Sequence, residues 1–416
     1  MIKSFLKDSI LYTLANLFTK GIAFIMLPVF LSYLTKSEYG VLDYITTVGL
    51  VLGVVVALEI AQAVIRFSSD SENNAYAKAQ YINAGLIFTL GCYSILIICV
   101  HFNLGSVAHF LTGDSENLNI ASLTVFSYFA LALMYLTAVI YRSNLNAKSA
   151  TLSSAVAATI TSIITYLLLS RFDMGLEGVL WGIIIGQLSV AIINLFNLRA
   201  FWLVFPCWQT LKEMLQFSSP LVISSLGVVF ATFADRLMIK ELLDFSELGE
   251  YSVAARLAAG VALLTVGFQS ALAPLIYSQL DNSETPQNLN KLLRFYVVVG
   301  IMFIVVAFSV SDPLIVLIAG EGYSKAPDIL AILSLSVLLN SAYLFFPGLS
   351  IAKKTHVLAG INIFSGLLNI LLNFIFIPKL GIYGAGLATL GSALVSLILN
   401  IYYSEKYFSV LKVVKF

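Results

Sequence analysis

The chain has 416 residues, 59% of them hydrophobic and 11% charged, with 23 Lys and Arg against 22 Asp and Glu and a formal net charge of +1. A soluble domain is about one-quarter charged. A chain this apolar, with mean hydropathy +0.95, has too little polar surface to cover itself in water, so it is read as an all-α integral membrane protein. Net charge argues neither for nor against an acidic partner, and no nucleic-acid partner is expected.

Apolar runs long enough to cross about 30 Å of hydrocarbon recur near residues 9–34, 41–65, 81–102, 118–141, 150–170, 176–200, 215–239, 250–278, 291–311, 326–349, 355–377 and 382–404. The first carries Asn16 and Lys20, the second Glu59, the seventh Thr232, Asp235 and Arg236, and the eighth Arg256. The eleventh sets Asn362, Asn369 and Asn373 on one helical face. Short polar connections such as LTGDSENLN and LDNSETPQN separate the runs. The first run is too long for the apolar part of a cleavable leader, so it is expected to act as its own targeting signal. Cys92 and Cys99 share one apolar run and Cys207 lies in a polar connection, which suggests no disulfide framework.

Lysine and arginine set the expected orientation. The N-terminus and every second connection collect Lys3, Lys7, Arg142, Lys148, Lys353, Lys354 and Lys406 among others, while the opposite side holds Lys36, Arg171, Lys240, Lys325 and Lys379. The excess of positive charge on one side places both termini in the cytoplasm.

The chain also repeats itself. At a shift of about 209, LTKSEYGVL lies over LDFSELGEY, so that Ser37, Glu38 and Gly40 meet Ser246, Glu247 and Gly249. At a shift of about 206, Gly175 meets Gly381, Gly178 meets Gly384 and Asn194 meets Asn400. Two six-helix lobes, 1–205 and 206–416, are therefore expected, entering the membrane from the same side as a parallel repeat about a central cavity. That architecture suits transport.

Three sets of residues carry a family resemblance: Asn16, Lys20, Pro28, Tyr33, Leu34, Glu38, Tyr39 and Gly40; the run Ala234-Asp235-Arg236; and Leu248, Gly249, Tyr251, Ala255 and Arg256. Together with the helix count and the repeat, they resemble the polysaccharide-transport branch of the multidrug/oligosaccharidyl-lipid/polysaccharide exporter superfamily, within it the bacterial O-antigen flippases. The resemblance implies movement of an undecaprenyl-pyrophosphate-linked oligosaccharide from the cytoplasmic to the periplasmic leaflet of the bacterial inner membrane by alternating access. It also implies a polysaccharide polymerase and chain-length machinery as candidate partners.

The residues agree with an anionic substrate. A lipid pyrophosphate crossing a low-dielectric path needs cations held at depth. Lys20 lies about 16 Å along its helix, too deep to snorkel readily, Arg256 is shallower and Arg236 lies near a helix end. These three are the candidate substrate-path cations. Glu59 and Asp235 are candidate coupling or pairing carboxylates, and Asn16, Thr232 and Asn369 are candidate polar groups of the cavity. The bland alternatives are ion pairing, snorkelling and helix packing.

No Gly-rich phosphate loop, HExxH run or paired-cysteine spacing occurs, and His101, His109 and His356 lack ligand partners at useful spacing. No enzyme activity, catalytic residue, metal or cofactor is expected. A multidrug exporter of the same superfamily is the first alternative, although cationic drugs would favour carboxylates over the three cations. A membrane polymerase or ligase is the second, disfavoured by short periplasmic loops.

Overall fold

The computed structural model describes the backbone of residues 2–71, 74–202, 204–278 and 284–411; the side chains of 2–16, 228, 231, 263–264 and most of 266–278 lie outside that description. All regular structure among the described residues is helical. In chain order the helices are α1 (Ile2–Tyr33), α2 (Lys36–Val55), α3 (Ile60–Asp70), α4 (Ala75–His101), α5 (Leu104–Thr112), α6 (Leu118–Ser143), α7 (Ala147–Phe172) and α8 (Gly175–Asn197). They continue as α9 (Trp208–Leu242), α10 (Phe245–Ser278), α11 (Thr285–Ala319), α12 (Ala326–Ala342), α13 (Gly348–Ile351), α14 (Thr355–Leu380) and α15 (Ile382–Ser404). Nine helices among the described residues are long and apolar enough to cross a bilayer, and α9 makes ten. Helices α1 and α10, of 32 and 34 residues, have the length to cross as well.

Local chemistry sets the helix ends. Thr35 and Glu38 form a reciprocal capping box at the start of α2. The side chains of Asn74 and Asn146 accept from the backbone N–H groups of Ala77 and Ser149 at 3.1 and 3.0 Å. Pro286 and Pro327 sit in the first turns of α11 and α12, where a missing N–H costs nothing.

Two differences from the sequence expectation stand out. The run 41–65 is not one helix: α2 ends at Val55 and α3 begins at Ile60, with Leu58 and Glu59 both at positive φ, 48° and 54°. The segment between them contains neither Gly nor Pro, so hydropathy gave no signal of the break. Helix α5 was read as connection because its nine residues are too short to span.

The chain divides into two compact units, Met1–Phe233 and Ala234–Phe416. The sequence repeat places its join in the polar connection at 205/206; the contacts keep the start of α9 with the first unit, where Met214 is fully buried. In the first unit α7 packs along α8, and α8 against α6. Its core gathers Ile60 and Val64 of α3, Ile82 of α4, Leu136 and Ile140 of α6, and Ala191 of α8. Glycines let α7 and α8 approach closely: a Cβ on Gly186 would fall 2.2 Å from Thr161 Oγ1, and one on Gly182 2.0 Å from Thr165 Oγ1.

The second unit follows the same plan. Helix α14 packs along α15, and α15 against α12, over a core that includes Ile276, Leu289, Tyr296, Phe345 and Val410. The α10 N-terminus is tied to the start of α12, because Glu247 bonds the Lys325 ammonium and Glu250 accepts from the Lys325 backbone N–H. The bond from Glu247 holds the Lys325 ammonium above the ordinary lysine range.

One contact recurs in both units. Asn83 of α4 donates to the carbonyl of Val204 at 2.9 Å, and Asn290 of α11 donates to the carbonyl of Val410, also at 2.9 Å. The two asparagines are 207 positions apart and the two carbonyls 206, the spacing of the sequence repeat. In each unit an asparagine therefore fastens the segment that follows the unit's α8-type or α15-type helix.

Candidate functional site

The densest buried polar group among the described residues lies in the second unit around Asp235. Helix α9 carries this aspartate at 6% exposure. Three other helices supply its partners. From α14, Asn373 donates through Nδ2 to Asp235 Oδ1 at 2.6 Å. From α10, the Tyr251 hydroxyl donates to Oδ2 at 3.4 Å. From α15, the Thr389 hydroxyl lies 3.4 Å from the same oxygen. Asn369 completes the set: its Oδ1 accepts from Asn373 at 3.1 Å and its Nδ2 donates to Thr389 Oγ1 at 3.4 Å.

The local sequence explains why these side chains converge. Asn369 and Asn373 are four residues apart, one turn of α14, and therefore share a face; Ser365, also buried, extends that stripe by another turn. Gly381, at φ 61°, turns the chain between α14 and α15 within a single residue. That tight turn keeps the two helices side by side, so Thr389 lies opposite the asparagine stripe. Asp235 and Arg236 are adjacent on α9, about 100° apart around the helix, and the Arg236 guanidinium lies over the Tyr251 ring, 5.6 Å from its centroid.

Counting donors against acceptors indicates what the arrangement can do. Thr389 has one hydrogen, and the Ala385 carbonyl, at 3.0 Å, is nearer than Asp235. Asn373 Oδ1 is buried and accepts no hydrogen bond, while the residue itself is fully buried. The cluster thus holds more oxygen lone pairs than hydrogens, around the Asp235 carboxylate and beside the Arg236 guanidinium. A buried carboxylate left with surplus acceptors is stabilised by a cation. Either a proton on Asp235 or a small monovalent cation among Asp235, Asn369, Asn373 and Thr389 would meet that need. Hard oxygen ligands suit an alkali ion rather than a soft metal. Among the described residues no cluster of three or more His, Cys, Asp or Glu has metal-ligand geometry.

The sequence-derived candidates fall into two groups. Asp235, Arg236 and Asn369 meet in this cluster. Arg256 lies further along α10, half-buried. Lys20, Glu59 and Thr232 belong to the first unit, where Lys20 and Thr232 are exposed and Glu59 is half-buried. Asn16 lies outside the described side chains. Glu59, expected inside the second continuous span, instead sits in the break between α2 and α3 in a left-handed conformation, where its side chain caps nothing. A non-glycine residue there is strained by about 1–2 kcal/mol, and two in succession mark a deliberate interruption of the helix.

Sequence reasoning missed Tyr251 and Thr389 as members of the site. Tyr251 stands among other polar residues of α10, such as Ser252 and Arg256, whereas Thr389 opens a polar stripe of α15 with Ser392, Ser396 and Asn400 that could have pointed to it. Asn373 was legible as part of the α14 face.

Comparison with known proteins supplies the family. The polysaccharide biosynthesis protein family model matches residues 5–280, and a second model, MatE, matches residues 220–375. The chain is 22% identical over 414 residues to the probable low-salt glycan biosynthesis flippase Agl15 of Haloferax volcanii, covering 97% of this chain and 84% of that protein. It is 23% identical over 405 residues to the capsular polysaccharide biosynthesis protein CapF of Staphylococcus aureus, covering 95% and 98% respectively. Among solved structures it resembles the lipid II flippase MurJ, with TM-score 0.71, 15% identity and coverage of 95% of this chain and 87% of that one. It also resembles a multidrug resistance MATE family transporter of the MOP superfamily, with TM-score 0.70, 14% identity and coverage of 95% and 96%. The chain is a multi-pass membrane protein of the MATE- and MurJ-like fold, and it belongs to the polysaccharide biosynthesis protein family.

Proposed function

We propose that this protein is a flippase that moves a lipid-linked glycan across the membrane by alternating access, driven by neutralisation of Asp235 by a proton or an alkali cation. The observation that carries the coupling half of this reading is the four-helix polar cluster, with an acceptor surplus, around a carboxylate inside a membrane-spanning unit. A buried ionisable group at such a place marks an ion pathway by default. The substrate half is supported by the family and by relatives named for glycan flipping and capsular polysaccharide. An undecaprenyl-pyrophosphate-linked oligosaccharide, such as an O-antigen or related repeat unit in a bacterial inner membrane, fits the candidate cations Lys20, Arg236 and Arg256, because its pyrophosphate is a fixed anion. Both termini are then cytoplasmic, and a polysaccharide polymerase and chain-length machinery would receive the product.

Complementation of a flippase-null strain tests the reading, with surface glycan and membrane protein level scored together. Wild type should restore the glycan; Asp235→Asn should lower it more than about tenfold, the loss expected when a coupling step loses its charge change, at unchanged protein level. Glu59→Gln should be milder. Failure of the wild type to restore any glycan, combined with increased resistance of the host to cationic drugs, would favour the multidrug-exporter reading that the MatE match also suits.

A further inference from the structure

Tyr251 touches both members of the charged pair on α9. Its hydroxyl donates to Asp235 Oδ2 at 3.4 Å, and its ring carries the Arg236 guanidinium at 5.6 Å. The residue is 1% exposed. Nothing about helix packing demands a tyrosine here: at the repeat shift of 209 its counterpart in the first unit is Leu42, which is buried at 6% exposure in the matching helix. A hydroxyl in place of an apolar contact therefore answers to Asp235.

We propose that Tyr251 is a positioning residue that relays the charge state of Asp235 to Arg236, so that occupation of the coupling site is felt on the α9–α10 helix pair. The proposal rests on the reading of Asp235 as the coupling group. With the carboxylate ionised, the hydroxyl bond is charge-assisted and about twice as strong as a neutral one; it fixes the ring, and the ring fixes the guanidinium. A proton or alkali cation on the carboxylate competes for the same oxygen lone pairs. The hydroxyl then loses its strong acceptor, the ring is free to rotate, and Arg236 loses the surface it lies on. Atoms and charge balance without any further reactant, because the only exchange is of one hydrogen bond for one bound cation.

Among the described residues, the groups facing Asp235 come from four helices. On its own helix the charged neighbour is Arg236; from α10 comes Tyr251, from α14 the neutral Asn369 and Asn373, and from α15 the neutral Thr389. Among these, Asp235 is the carboxylate, so a response to a proton or an added cation reports on it.

The full-length protein in lipid nanodiscs, followed by hydrogen–deuterium exchange of residues 245–256, tests the relay. Protection factors are corrected for intrinsic rates and measured along two titrations: acid in choline chloride, and sodium chloride at fixed alkaline pH. In the wild type, protection should fall several-fold along whichever titration delivers the coupling ion. Asp235→Asn should sit at the low level throughout. Tyr251→Phe, which keeps the ring but removes its hydroxyl bond to Asp235, should also respond to neither titration. Ser336→Ala, which removes a buried hydroxyl of α12 bonded to the Ile332 carbonyl outside the Asp235 cluster, should still respond and so serves as the control for folding and for generic loss of a polar contact. A Tyr251→Phe protein that responds like wild type overturns the relay while leaving the role of Asp235 intact. If Asp235→Asn itself responds like wild type, the coupling role of Asp235 fails, and the relay fails with it.

Discussion

The two units use one plan with different chemistry on the helix pair that carries Asp235 and Tyr251. At the repeat shifts, Asp235 corresponds to Met26, Tyr251 to Leu42, Asn369 to Ile163, Asn373 to Leu167 and Thr389 to Ile183. Met26 and Leu42 are apolar and buried, at 7% and 6% exposure, whereas Ile163 and Leu167 are exposed at 55% and 44% and do not take the inward places of Asn369 and Asn373. The first unit draws α7 and α8 together through Gly182 and Gly186 seated on Thr165 and Thr161, with one bond from Gln187 to Thr161, while the second unit bridges α14 and α15 through Asn369 and Thr389. At the places of Asp235 and Tyr251 the first unit is therefore an internal control: apolar side chains pack there, so packing alone does not demand the carboxylate or the tyrosine. Buried ionic groups are often neutral or unfavourable for stability beside apolar replacements, which sharpens the same point.

The comparison can be broken most forcefully by exchanging residues between the units. Met26→Asp puts a carboxylate where no partners have been supplied and should destabilise the protein by about 3 kcal/mol, the cost of a charge in a spanning helix, read as loss of yield and of thermal stability in detergent. The reverse exchange, Asp235→Met with Asn369→Ile, Asn373→Leu and Thr389→Ile, should leave stability within about 2 kcal/mol of wild type while abolishing complementation. An unfolded quadruple variant would mean that the second unit needs its cluster for structure.

A smaller effect separates the two ways of closing a helix pair. Gly186→Ala drives a Cβ within 2.6 Å of the Thr161 backbone, where no side-chain motion can relieve it, and should cost about 1–3 kcal/mol. Its counterpart change, Ser392→Ala, removes a hydroxyl bonded to the Thr389 carbonyl and should cost about 1 kcal/mol or less. Equal losses in thermal unfolding would deny that the first unit depends on close approach.

The smallest effect tests where the units agree. Asn83→Ala and Asn290→Ala each remove one hydrogen bond to a carbonyl, and each should cost about 1 kcal/mol. Asn290 also accepts from Arg294 Nε at 2.9 Å, so the second loss should shrink in an Arg294→Ala background and the first should not.

How much of this was legible depended on whether a feature leaves a periodic trace. Span positions follow from hydropathy, and the α14 stripe of Asn369 and Asn373 follows from its one-turn spacing. Asp235 was visible as a charge in an apolar run, but its partners were not, because Tyr251 stands among several polar residues of α10 and the Thr389 stripe of α15 does not say which carboxylate it meets. The break at Leu58 and Glu59 left no trace, since no glycine or proline marks it. The fastening of Val204 by Asn83 joins residues 121 apart, and no local pattern encodes a contact of that range.

That fastening bears on how the chain is made. Asn83 waits for the carbonyl of residue 204, and Asn290 for that of residue 410. A ribosome that has delivered residue 204 has already delivered both ends of the first bond, while most of the second unit is still untranslated. The first bond can therefore close in the bilayer during synthesis, and the second only when nearly the whole described chain has left the translocon. A nascent chain stalled a few tens of residues beyond α9 should already protect the backbone around Val204.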